Sequence, residues 1–95
     1  MTDLLTAEEL DTAMAELAPL GWTVVEDGIA LSRQFKFADF PTALGWMVRM
    51  GVHAEKLNHH PDWTNVYNRV DVRLSTHDAG GLTALDVKLA RKMSA

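Results

Sequence analysis

Residues 22–37 read "WTVVEDGIALSRQFKF", and that line sets the architecture. Trp22–Glu26 and Ile29–Phe37 are runs rich in β-branched and aromatic side chains, which suit a pleated strand. Between them stands Asp27-Gly28, a dipeptide that tolerates the positive φ of a tight hairpin turn. The spacing predicts a β-hairpin. In its second arm Leu31, Arg33, Phe35 and Phe37 fall on one face and Ala30, Ser32, Gln34 and Lys36 on the other, so another layer must cover the apolar face.

Upstream, "TAEEL" at 6–10 pairs Thr6 with Glu9, the reciprocal arrangement that satisfies two free amides at a helix start. Leu10, Met14 and Leu17 then share one face, and Pro19 and Gly21 end this helix near Ala18. Downstream the period becomes helical from Asp39 to Asn58, with Pro41 in the first turn. The stripe expected to be buried is Phe40, Leu44, Met47 or Val48, Gly51, and Ala54 or Glu55. The helix must stop before Pro61, because a residue preceding proline, here His60, is pushed toward extended backbone.

"WTNVYN" (63–68) and "RVDVRLS" (69–75) read as two more strands, the second alternating Val70, Val72 and Leu74 against Arg69, Asp71 and Arg73. "HDAGG" (77–81) is a loop, and "LTALDVKLARKM" (82–93) is a last helix with Leu82, Leu85, Leu89 and Met93 inward. The order is α-β-β-α-β-β-α. It predicts one α+β domain over residues 1–95, a four-stranded antiparallel sheet covered on one face by three helices.

Composition narrows the function. The formal charge is −4 and the nine basic residues are scattered, which argues against direct nucleic-acid binding. There is no cysteine, hence no disulfide, no thiolate nucleophile and no zinc–thiolate site. "MTDLLTAEEL" carries acids where a signal peptide carries positive charge, and no apolar run approaches about 18 residues. The expectation is a cytoplasmic protein with no membrane partner.

Chemistry concentrates in "EKLNHHPDW", residues 55–63, which spends two of four histidines side by side. Imidazole changes charge near neutral pH, so His59 and His60 at a corner locked by Pro61 suit proton transfer. Against that stands a plain role at a helix C-terminus, where basic side chains cap free carbonyls. A zinc site assembled from His59, His60, His77 and Asp86 lacks the ligand spacing such sites show. Asp86 stands three residues after Thr83 and resembles a capping partner, yet it shares the inward face with Leu85 and Leu89 and could orient an imidazole. The two roles are expected to coexist only in part. Glu55, one turn before His59, could pair with it. His77 follows the last strand, and Trp63 could pack beside a flat ring or within the sheet.

The spacing Glu55, His59-His60-Pro61, Tyr67, His77, Asp86 resembles the signature of the pterin-4a-carbinolamine dehydratase family. "DFPTAL", "HHPDW" and "NVYNRVDVRLSTHDAGGLTALD" also resemble family sequence, whereas residues 1–28 match only in layout. The resemblance implies the same α+β fold and dehydration of 4a-hydroxytetrahydropterin to quinonoid dihydropterin, which regenerates the cofactor of aromatic amino acid hydroxylases. It implies that His59, His60 and His77 line the pterin pocket, that Asp86 supports one ring, and that Glu55 completes the cluster. It implies no cofactor and no metal, and a homodimer or homotetramer. Family members in animals also act as a dimerisation cofactor of a homeodomain transcription factor, so a protein-interaction module is the alternative. Loss of water from C4a needs a proton for the departing hydroxyl and removal of a proton from N5. Imidazoles can do both, each assistance contributing about 10²- to 10⁴-fold.

Overall fold

The computed structural model describes residues 3–95. The hairpin forms from β1 (Thr23–Val25) and β2 (Ala30–Lys36), antiparallel with Val25 opposite Ala30. Its turn is wider than Asp27-Gly28 alone: residues 26–29 connect the arms, and Glu26, Asp27 and Gly28 take φ of 54°, 56° and 90°. Glu26 leaves the strand because its carboxylate reaches across to Arg73, with oxygens 2.6 and 2.7 Å from Nε and Nη2.

Helix α1 (Ala7–Leu17) starts at Thr6 with both bonds of the expected capping box, Thr6 N to Glu9 at 2.9 Å and Glu9 N to Thr6 Oγ1 at 3.1 Å. Helix α2 (Phe40–Leu57) begins on the Asp39 cap, whose carboxylate accepts from the Thr42 amide and hydroxyl; this holds the Asp39 carboxyl below its usual range. Strands β3 (Asp62–Val66) and β4 (Arg69–Leu74) and helix α3 (Ala84–Ser94) complete the chain. Tyr67 and Asn68 form the β3–β4 turn, with Tyr67 at φ 50°, rather than extending the strand.

The sheet order is β1-β2-β4-β3, antiparallel throughout, so β4 lies between β2 and β3. Val70, Val72 and Leu74 of β4 are buried, as alternation requires, beside Leu31 and Phe35 of β2. Val87, Leu89, Ala90 and Met93 of α3 are buried in the same core, and Ser94 Oγ accepts from the fully buried Trp22 indole at 2.8 Å. Arg33 also points to this apolar face, with its guanidinium 4.0 Å from the Phe35 ring centre and Nη1 3.1 Å from Ser94 Oγ. Burial lowers its pKa from the ordinary arginine value.

The stripe on α2 differs from the one expected. Ala43, Trp46, Met50 and Ala54 are buried and Met47 packs against the core, whereas Phe40, Leu44, Val48 and Val52 are exposed. The helix is apolar around most of its circumference, so periodicity admits two stripes, and the large aromatic decides between them. The Trp46 ring packs tilted against Phe35, with centres 4.4 Å apart, and Ala43 and Ala54 let the helix approach the sheet. In α3, Leu89 and Met93 are buried as expected, Leu82 lies just before the helix, and Leu85 is only half-buried beside Val87 and Ala90.

Candidate active site

The corner after α2 is built by one left-handed residue. Asn58, at φ 50° and ψ 43°, turns the chain back so that the His59 amide donates to the Ala54 carbonyl at 3.0 Å. The end of the helix is thus closed by backbone, and neither imidazole caps it. The reversal sends adjacent rings apart. His59 turns inward, 8% exposed, with Nε2 2.6 Å from Asp86 Oδ1. His60 stays outside, with Nε2 2.8 Å from Glu55 Oε1, both side chains mostly exposed. Glu55 therefore pairs with His60 rather than His59, because His59 has been drawn to the interior.

Asp86 is fully buried and its oxygens divide two tasks. Oδ2 accepts from the Thr83 amide at 2.9 Å and closes the capping box of α3, and it also accepts from the Thr76 hydroxyl at 2.7 Å. Oδ1 is left for His59. The two roles foreseen for this carboxylate coexist in full, since a carboxylate offers lone pairs on two sides. Thr76 reaches Asp86 because its amide and carbonyl bridge to Gly81, closing the 77–80 loop beside the start of α3.

His77 opens that loop and is exposed. It lines an open cavity of about 540 Å³ with His60, Asp62, Arg73, Ser75, Ile29 and Gly80. An adjoining recess of about 220 Å³ is lined by His59, His60, Ser75, Thr76, His77 and Asp78 with Asn58. The structure thus brings His59, His60 and His77 around one concavity, braces His59 on Asp86, and sets Glu55 behind His60. Pro61 lies between the histidine pair and the start of β3. Trp63 lines neither the cavity nor the recess: from β3 its ring packs against α2, with its centre 6.1 Å from that of Trp46.

Arg73 supplies the cavity's fixed positive charge. Its hydrogen bonds to Glu26 push the Glu26 carboxyl below the usual range and raise the Arg73 guanidinium. Asp62 stands 4.0 Å from the same guanidinium. Arg73, Asp62, Ser75 and Thr76 are the site residues that sequence reasoning left out. Arg73 and Asp62 fall on the polar face of alternating strands, where charge reads as solvated surface, and only the cross-strand register between them reveals the shared wall. Among the described residues no three His, Cys, Asp or Glu side chains are grouped closely enough to hold a metal ion. No helix among them is long and apolar enough to cross a membrane.

The comparisons with known proteins bear on the family and the fold. A family model described as "Pterin 4 alpha carbinolamine dehydratase" matches residues 3–95. A Novosphingobium aromaticivorans protein named "Putative pterin-4-alpha-carbinolamine dehydratase" is 55% identical over 89 residues, 94% of this chain and 91% of its own. A Brucella ovis protein of the same name is 52% identical, covering 96% of this chain and 92% of that one. The crystal structure of a "transcriptional coactivator/pterin dehydratase" from Brucella melitensis superposes with a TM-score of 0.88 at 50% identity, over 96% of this chain and 95% of that one. With the histidine corner, its carboxylate brace and the four-stranded fold all in place, a match over nearly the whole length places this chain in the pterin 4 alpha carbinolamine dehydratase family.

Proposed function

We propose that this chain dehydrates 4a-hydroxytetrahydropterin to quinonoid dihydropterin and water, with His59, His60 and His77 sharing the proton transfers. The observation that carries the reading is the convergence of three imidazoles on one concavity, one of them braced by a buried carboxylate. The C4a–O bond breaks as the hydroxyl takes a proton and leaves as water; N5–H is lost to a base and the C4a=N5 bond forms. Every atom is accounted for by one acid and one base, without a resident cofactor or metal. In keeping with that role, the protein works in the cytoplasm as one domain, beside an aromatic amino acid hydroxylase that produces the carbinolamine.

The test is ultraviolet-monitored decay of an enzymatically generated 4a-hydroxypterin with and without the protein. Decay no faster than in buffer would refute the reading.

The chain also associates as a homodimer or homotetramer in this proposal. The support is the outward stripe Phe40, Leu44, Val48 and Val52 along α2, between 42% and 63% exposed, an unusual run of apolar surface for a free helix. The same stripe favours a second reading, an interaction module that offers α2 to another protein. An interaction role alone has no need of the histidine set, so loss of dehydration with the histidines replaced separates the two.

A further inference from the structure

Two threonine hydroxyls stand behind the His59–Asp86 pair, and their proton inventory has one solution. Thr76 Oγ1 lies 2.7 Å from Asp86 Oδ2 and 2.7 Å from Thr83 Oγ1. A hydroxyl has one proton, and a carboxylate oxygen can only accept. The Thr76 proton is therefore committed to Asp86, and Thr83 must donate to Thr76. The Thr83 oxygen in turn accepts from the Leu85 amide at 3.3 Å, which leaves its proton free for that purpose. The chain of donors runs one way, from α3 through Thr83 and Thr76 into Asp86.

That direction decides the chemistry at His59. With Oδ2 occupied by the Thr76 hydroxyl and the Thr83 amide, Oδ1 faces His59 Nε2, which must carry a hydrogen to make a 2.6 Å contact with a carboxylate. Nδ1 has no protein partner among the described residues, and no buried side-chain polar atom among them lacks a partner. Nδ1 is therefore the nitrogen that meets the recess His59 helps to line. In the neutral ring it presents a lone pair, not a proton.

We propose that Thr76 is a positioning residue: its hydroxyl, set in direction by Thr83, completes Asp86 and so holds His59 in the Nε2–H tautomer with Nδ1 toward the cavity. Its bearing on catalysis rests on the dehydratase reading above; its effect on the ring does not. Thr76 is 9% exposed and lines the recess, but its hydroxyl bonds only Asp86 and Thr83, so it reaches His59 through Asp86. Removal of a partner behind a ligating or catalytic side chain typically costs about 10- to 100-fold.

The experiment compares the wild type with Thr76→Val, which keeps the shape and deletes the hydroxyl, and Thr76→Ser, which keeps the hydroxyl. Each is read by nitrogen-15 NMR of the His59 ring, at a pH where the ring is neutral, and by dehydration kinetics. The expected result is an Nε2–H signature in the wild type and in Thr76→Ser; in Thr76→Val the buried carboxylate loses a donor that favours its charged form, takes up a proton and donates it to Nε2, so the Nδ1–H form grows. With it, kcat falls by about 10- to 100-fold in Thr76→Val at little-changed KM, and Thr76→Ser recovers most of the rate. A wild-type ring in the Nδ1–H form overturns the proposal even if Thr76→Val does not fold. So does loss of rate in Thr76→Val with the His59 signature unchanged. An inactive wild type with the expected tautomer behaviour refutes the dehydratase reading and leaves the positioning of His59 standing.

Discussion

Nε2 of His59, two residues past the end of α2, lies 2.6 Å from Oδ1 of Asp86 in the first turn of α3. The same carboxylate caps α3 through its other oxygen, so the orientation of a candidate catalytic ring and the first turn of a helix depend on one side chain. Under the proposed mechanism stability and activity are coupled there, which distinguishes the histidines from one another.

His60 and His77 are exposed, and replacing either by Ala should change folding stability by no more than about 0.5 kcal/mol while lowering turnover. His59→Ala differs, because it leaves an oxygen of a buried carboxylate without its partner at a cost of about 1–3 kcal/mol. The double change of His60 and His77 to Ala should approach the uncatalysed rate. Urea unfolding and dehydration rates on the same four variants check this, and full activity in the double variant would remove these histidines from the mechanism.

Asp86→Asn cannot accept on both sides. One N–H of the amide must face either the Thr83 amide and Thr76 hydroxyl, which costs the bond from the Thr83 amide, or His59, where Nε2 can accept it only if the ring changes to the Nδ1–H tautomer. Stability should drop by about 1–3 kcal/mol, and kcat by about 10- to 100-fold. Thermal melts and rates together show whether both fall; an unchanged melting temperature would contradict the capping role.

Glu26 has a folded pKa below its ordinary value because Arg73 hydrogen-bonds its charged form. A depressed carboxylate contributes stability that is present above the unfolded value, near 4.3, and is lost as pH falls through the lower folded value. The wild type should therefore exceed Glu26→Gln in urea midpoint at neutral pH, and the gap should close on acidification. A gap that widens toward low pH would reverse the assignment. The same variant should loosen the 26–29 turn that carries Ile29 to the cavity wall.

Replacing Leu44 and Val48 together by Glu should convert the proposed oligomer to monomer while sparing the fold, since both side chains are exposed. Sedimentation at micromolar concentration measures this. A wild type that sediments as monomer at that concentration counts against self-association through α2.

Activity should survive dialysis against a chelator without change. Loss on chelation, restored by one zinc per chain, would overturn the metal-free proposal.

The sequence by itself determined the order of elements, because strand and helix periods, the Thr6–Glu9 cap and the His60-Pro61 corner are local signals that act within a few residues. It also pointed to His59, His60, His77 and Asp86 as the residues of interest. Which side of α2 is buried was decided only by the tertiary structure, since a helix apolar on two sides has no preferred face until Trp46 meets Phe35. The partner of Glu55 was decided the same way, by a left-handed Asn58 that turns His59 inward and His60 outward. Arg73, Asp62 and Thr76 read as ordinary polar positions in the chain. They become a site only when β3 pairs with β4 and the 77–80 loop folds back beside α3, because hydrogen bonds between residues distant in sequence exist only once the sheet and helices have set their register.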